Sequence, residues 1–329
     1  MSTSRFFQVL LILPVSLALA LAQAQAQGYP ARSVRIIVPH GAGGPADVPP
    51  RGIAQSLAQI LGKPFVIENR EGADGVIGAE VCAKAPADGY TLCSTTSSVI
   101  TLNPAIHTQL PYDPPRDFVP LVYFGASNNA LLVHPSMAVN SIKELIELAR
   151  AKPDSITWGG MASTGTGSVV LNWLKNSLGA AFYQIPYKST VQAMQATVSG
   201  SVQVMTYAVG PSAGLVRAGK LKALAMVGGR RSPLLPEVAS LKELGYDFAY
   251  NSWFGMFAPA RTPLEIVHRL NAEMGKLLAD PQFSAKFLGT QGIDTDELTG
   301  RTVEEFAVFL KADRDNVAKI LQAAGIKKQ

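Results

Sequence analysis

Residues 34 to 61 place the tightest constraint on the fold. Val34 to Val38 is a short, β-branched apolar run that suits a buried parallel strand. After Asp47, the positions Ile53, Leu57, Ile60 and Leu61 recur at helical spacing up to Gly62. Between strand and helix lies His40-Gly41-Ala42-Gly43-Gly44-Pro45-Ala46-Asp47, a turn in which the glycines leave backbone exposed. A helix that opens this way directs amide donors and its dipole outward, an arrangement that favours an anion. The turn is therefore expected to hold a carboxylate.

The unit repeats along the chain. Phe65 to Glu68, Gly75 to Ala85 and Tyr90 to Thr95 read as strand, helix and strand, the last running into a hydroxyl-rich loop, Ser94 to Ser98. This βαβαβ order calls for a parallel sheet with ligand-facing loops at the strands' carboxyl ends. Residues 103 to 117 read as loop, and 118 to 134 as a crossing between lobes. A capping box at Ser141 and Glu144 starts a helix, Ile156 to Trp158 follows as a strand, and a second small-residue turn, Gly159 to Ser168, opens another helix. Ala181 to Ile185, Thr190 to Ser199, Val202 to Tyr207 and Leu221 to Val227 complete a second α/β lobe. Phe248 to Ala258 crosses back. Thr262 with Glu265 and Thr302 with Glu305 mark further helix starts, and these last helices are expected to pack on the first lobe.

With 329 residues, two lobes are the expected arrangement, since single cores stop growing beyond about 250 residues. Only 16% of residues are charged, which speaks against long disordered or coiled-coil stretches. The net charge of +5 is scattered, with no basic run beyond Arg230-Arg231 and Lys327-Lys328, so nucleic acid is excluded as a partner. Arg5, the apolar run Val9 to Leu21 and Ala24-Gln25-Ala26 form an export leader cut after Ala26, and that apolar core is too short to span a bilayer. A bacterial periplasm is the expected destination. Cys82 falls on a helix and Cys93 on the next strand; helix and sheet backbones usually lie ~10 Å apart, so two buried free thiols are expected.

Gly41-Ala42-Gly43-Gly44-Pro45-Ala46 also fits G-x-G-x-x-A after a strand, with Glu68 ending the next one, so a dinucleotide enzyme has to be weighed. Pro45 removes a donor that a pyrophosphate would use, and an exported protein meets little free nicotinamide cofactor. Gly214 to Leu221 mimics a P-loop, but it lacks the Ser or Thr and follows a helix rather than a strand. His40, His107, His134 and His268 show no ligand spacing, and no G-x-S-x-G elbow is present. No catalytic set, metal site or cofactor is expected. Thr95, Thr96, Ser97, Ser163, Thr164 and Thr166 supply hydroxyls on two facing loops, although capping and turn chemistry accounts for some of them. Trp158, Trp173 and Trp253 fit a core better than a ligand platform, with Trp253 on the crossing segment the exception to watch.

Several short motifs occur in a fixed order: Tyr29-Pro30-Ala31-Arg32, the Gly43 to Asp47 turn, Val66 to Arg70, Ala87 to Leu92, Asn103-Pro104, Leu110 to Pro114, Pro186-Tyr187-Lys188, Ala218 to Leu221, Ser252 to Gly255 and Ala323-Ala324-Gly325. Together they make the chain resemble the receptors of tripartite tricarboxylate transporters, the Bug-type periplasmic solute-binding proteins, over Tyr29 to Ile326. The resemblance implies an α/β fold of the two-lobed periplasmic-binding-protein type (type II), in which two crossing strands join the lobes and the lobes close by hinge motion over a small carboxylate. Lobe 1 would comprise 27–124 and 250–329, and lobe 2 would comprise 125–249. Carried over, the ligand would meet His40, Gly41, Ala42, Gly43, Gly44 and Asp47, then Thr95, Thr96 and Ser97, and from the second lobe Ser163, Thr164, Gly165 and Thr166 and the segment around Thr206, Tyr207 and Ala208. Asp47 fits the role of turn organiser better than that of ligand contact.

The family usually has an apolar residue where this chain has His40, and often Phe-Asp where it has Thr206-Tyr207. Loss of that aspartate argues against amino-acid ligands, while His40 and Tyr207 suit a flat or second carboxylate end. Pro49-Pro50 makes the first helical turn irregular. No Arg or Lys lies in the two main turns. The expectation is a monomeric solute-binding protein for a di- or tricarboxylate, possibly aromatic, serving membrane permease subunits. The alternative is a secreted or dinucleotide-dependent enzyme.

Overall fold

The computed structural model describes residues 28–161 and 165–328; the leader and its cleavage site, together with Ser163 and Thr164, lie outside the described residues. In chain order the elements are β1 (Val34–Val38), α1 (Val48–Leu61), β2 (Phe65–Asn69), α2 (Val76–Ala83), β3 (Thr91–Thr96), β4 (Phe118–Ser127), β5 (Asn129–Val133), α3 (Ile142–Ala151), β6 (Thr157–Gly160), α4 (Thr166–Leu178), β7 (Tyr183–Pro186), α5 (Thr190–Val198), β8 (Val204–Ala208), α6 (Val209–Arg217), β9 (Lys222–Met226), β10 (Ser252–Pro259), α7 (Leu264–Ala279), α8 (Pro281–Phe287), β11 (Ile293–Asp294) and α9 (Val303–Ala323). Short helical turns at Asn103–Ile106 and Pro114–Asp117 fill stretches expected to be loop, and another follows β3 at Ser98–Leu102.

Two sheets result. The first has the order β11-β4-β10-β3-β1-β2 and the second β7-β6-β8-β5-β9. β1 is parallel to both β2 and β3, while β10 runs antiparallel between β3 and β4. The second sheet repeats this mixture, with β6 parallel to β7 and β8 and β5 antiparallel to β8 and β9. The chain passes between sheets at Asn128, because β4 stays in the first sheet through Ser127, past the expected break after residue 124. It returns between Met226 and Ser252.

Local sequence accounts for most of this. Pro49 and Pro50 sit in the first turn of α1, where a missing amide costs no helical bond, and Gly62 closes the helix at φ 71° with its N–H on the Ala58 carbonyl. Ser141 caps α3 through the Glu144 amide, and Thr302 with Glu305 forms a full capping box on α9. The same signal at Thr262 does not cap α7. Its hydroxyl turns back to the Pro259 carbonyl, and Pro263 precedes a helix that begins at Leu264.

Two expectations are corrected. Cys82 and Cys93 form a disulfide with a Cα separation of 6.1 Å. The ~10 Å layer spacing does not hold here because α2 is built from small residues on its sheet side: a side chain at Gly78 would collide with Pro39 and the Arg70 carbonyl, so the helix backbone sits unusually close to the sheet. The C-terminal helix, in turn, does not pack on the first lobe alone. Phe306 and Leu310 of α9 join the core around Tyr123, Trp253 and Phe257, whereas Val317, Leu321 and Ala324 join the second-sheet core around Trp158 and Trp173. Asn176 and Ser177 of α4 donate to the Ala324 and Ala323 carbonyls.

Candidate functional site

The two sheets face each other across a cleft of about 1040 Å³, counted out to its open mouth. Its walls come from the carboxyl ends of the parallel strands and the helix starts that follow them, as the alternating order requires. The first lobe contributes His40, Gly41, Gly44, Asp74, Thr96 and Ser98. The second contributes Gly165, Thr166, Lys188, Thr206, Tyr207 and Ala208, and the crossings add Ser127, Asn129 and Ser252.

The turn after β1 is held from behind. The Asp47 carboxylate, 1% exposed, accepts from the Gly43 N–H at 2.9 Å, from Arg51 Nε at 2.7 Å and from Asn69 Nδ2 at 2.8 Å. Burial alone would raise its pKa, but these donors outweigh burial and hold the carboxyl below its usual range. Asp47 therefore organises the turn and does not line the cleft. The amides of Asp47 and Val48 fold back onto the Gly44 carbonyl, so the opening amides of α1 are directed into the turn rather than at a ligand. Ala42 and Gly43 likewise fall outside the lining. Glu68 pairs with Arg35 and Arg70, and nothing in this geometry favours a dinucleotide over a smaller anion.

The hydroxyl-rich stretch begins as the end of β3, where strand alternation separates Thr95 from Thr96, and continues through Ser97 into the helical turn that Ser98 opens. Thr96 and Ser98 line the cleft, with Thr96 Oγ1 3.3 Å from His40 Nε2. Thr95 and Ser97 lie outside the lining, and Ser97 Oγ accepts from the Trp253 amide. Trp253 is 2% exposed, donates to Asp313 Oδ2 at 2.8 Å and is a core residue. Burial pushes the His40 imidazole down to about 4 against the opposing charge of Asp74, so the ring is neutral at physiological pH.

On the second lobe, Gly165, Thr166 and Gly167 bring the N-terminus of α4 to the cleft wall. The Tyr207 phenol is pushed up to about 12 by burial, partly offset by the Thr190 hydroxyl, and a side chain at Gly44 would come within 4.0 Å of it. Ser127 and Lys188 are among the lining residues that the sequence reading missed, whereas Thr206 heads the segment it had placed at the ligand. Ser127 and Thr206 line the cleft, and their hydroxyl oxygens are buried without a hydrogen-bond partner in the protein. Buried hydroxyls are normally satisfied, so two unpartnered ones behind one cleft are exceptional. Ser127 lies at the sheet crossing, which no motif marks. Lys188 adds a cation at the exposed rim, and Glu71 and Asp74 add acids on the opposite wall. Among the described residues no group of His, Cys, Asp or Glu could hold a metal ion, and no helix is long and apolar enough to cross a membrane.

Comparison with known proteins agrees with this architecture. BugT of Bordetella pertussis is 32% identical over 298 residues, covering 89% of this chain and 91% of its own. Rpa4515 of R. palustris, solved with adipate, superposes with a TM-score of 0.85 at 31% identity, covering 92% of this chain and all of its own. MatC of Rhodopseudomonas palustris, solved with bound malate, gives a TM-score of 0.83 at 27% identity over 89% of this chain and all of its own. Residues 50–325 match the family described as the tripartite tricarboxylate transporter family receptor, and the chain belongs to that receptor family.

Proposed function

We propose that this protein is a periplasmic receptor that closes its two lobes over a small organic carboxylate and hands it to membrane permease subunits. The observation that carries this reading is the cleft itself, where the N-terminus of α4 at Gly165 to Gly167 meets the hydroxyl-bearing residues Thr96, Thr206 and Ser252. A carboxylate accepts several hydrogen bonds at once and gains from the helix dipole, so it suits such donors. The adipate and malate seen in two structural neighbours are carboxylates of fitting size. In this reading the turn at His40, Gly41 and Gly44, with Thr96, forms one wall, and Gly165, Thr166, Tyr207 and Ala208 form the other. Ser163 and Thr164 adjoin that second wall in sequence. Export by cleavage after Ala26 and action as a monomer belong to the same proposal.

Thermal unfolding of the purified protein against a carboxylate panel tests it, because a ligand that binds only the folded state raises the midpoint by mass action. A rise of several degrees with one class of carboxylate is expected. No rise with any of them, up to millimolar concentration, would overturn the reading.

A further inference from the structure

Two glycines from opposite lobes touch main chain to main chain beside the crossing strands. Gly210 lies in the first turn of α6, and Gly292 immediately precedes β11. A β-carbon on Gly210 would overlap the Gln291 carbonyl group and the Gly292 nitrogen, and one on Gly292 would overlap the Gly210 nitrogen. Only a glycine on each side allows so close an approach. Both partners are also tied to the crossing. The Val209 amide donates to the Asn128 carbonyl at 3.0 Å, while Ile293 and Asp294 pair with Ser127 and Ala126 of β4. Main chain anchored in this way does not give as the end of a flexible side chain would.

Strand order puts this contact behind the cleft. In the first sheet β11 lies beyond β4 and β10 from β3, β1 and β2, whose turns form the cleft wall. The exposed lining residues Glu71 and Lys188 follow β2 and β7, the outermost strands of the two sheets, and mark the mouth at that side. The crossing strands therefore stand between the mouth and the glycine contact, and a rotation that narrows one side widens the other. A second tie lies on the same rear side. Arg230 Nη2 of the second lobe reaches Asp294 Oδ2 of the first at 3.4 Å, and the Asn128 side chain holds the Arg230 carbonyl at 2.7 Å. The glycine contact resists compression of the rear, and the ion pair resists its separation.

We propose that the contact of Gly210 with Gly292 is the rear fulcrum of the receptor and sets the resting angle of its lobes, so that bulk added there tilts the cleft shut. This rests on the two-lobed receptor reading above and adds how the cleft is held before a ligand arrives. The test is the spacing of two spin labels in the ligand-free protein, attached at Lys63→Cys beside β2 and Tyr183→Cys at the start of β7. Both positions are exposed and on the mouth side, and Cys82 and Cys93 are bonded to each other and take no label. Gly210→Ala, which suits α6 itself because alanine favours a helix, is expected to shorten the spacing by about 3 Å or more. Arg230→Ala removes the rear tie at an exposed side chain and should shorten it by less. An unchanged or longer spacing in Gly210→Ala would overturn the proposal; should that variant not fold, the same result in Arg230→Ala overturns it. Calorimetric titration with adipate reads the tilt as affinity. A larger closed fraction raises apparent affinity, so Gly210→Ala is expected to bind adipate roughly two- to tenfold more tightly than the wild type. Weaker binding would overturn the fulcrum even with a shorter spacing. No adipate binding by the wild type would count against the carboxylate reading and leave the label spacing to decide this one.

Discussion

Thr166 and Ser252 share a hydroxyl-to-hydroxyl hydrogen bond of 2.6 Å that ties the opening turn of α4 to the first residue of β10, and so joins one lobe to the other at the cleft wall. Thr166→Val keeps the shape and deletes the bond. A neutral hydrogen bond contributes about 0.5–1.5 kcal/mol, so carboxylate affinity should weaken by roughly two- to tenfold. Ser252→Ala should match it, and the double substitution should be no worse than either single one if the two act as a pair. Titration of all four proteins gives the coupling, and additive losses would separate the residues.

The Asp47 carboxylate is the node that holds the turn after β1. Asp47→Asn keeps the size but loses the charge that Arg51, the Gly43 amide and Asn69 converge on. A stability loss of about 2–4 kcal/mol is expected in urea unfolding. Arg51→Ala should cost less, because the arginine is 48% exposed and Asp47 keeps two other donors.

His40 gives the protein an acid-sensitive stability. Its imidazole titrates near 4 in the fold and near 6.5 when unfolded, so between those values the unfolded state binds more protons. Stability is therefore full above about pH 6.5 and falls as pH drops toward 4, by roughly 2 kcal/mol, given that the residue is partly open to the cleft. His40→Gln should flatten this part of the pH profile, as measured by denaturant midpoints. An unchanged slope would place the titration elsewhere.

The Cys82 to Cys93 bridge spans 11 positions in sequence. Closing a loop of that size stabilises by about 3 kcal/mol in the chain-entropy account. Reduction, or the Cys82→Ala/Cys93→Ala pair, should lower the thermal midpoint by roughly 5 °C. A comparable shift of the reduced wild type and the double variant would assign the effect to the bond itself.

The alternation of strand and helix was legible in the sequence because period and punctuation coincide: β1, the glycine turn and α1 lie where the apolar spacing, Pro49 and Gly62 put them. The site was legible to the extent that it follows from that alternation, which leads to His40, Gly44, Thr96 and Thr166 at strand ends and helix starts. Which hydroxyl of Thr95, Thr96 and Ser97 faces the cleft depended on where β3 ends, and one residue of register reverses the answer. Ser127 and Lys188 required the tertiary meeting of two lobes, which no local pattern encodes. The disulfide was missed because a generic layer spacing was applied to a helix that Gly78 lets settle onto the sheet.

The placement of α9 bears on how the cleft works. Its 21 residues form a rod about 30 Å long whose two ends are seated in different cores. A helix does not stretch, so with both seats occupied the lobes cannot be pulled straight apart. They can turn only about an axis that leaves both seats in place. Widening the mouth further would first unseat Val317, Leu321 and Ala324 and break the bonds to Asn176 and Ser177. The helix is thus a brace with a breaking point at one end, and the burial at that end sets the resistance to full opening.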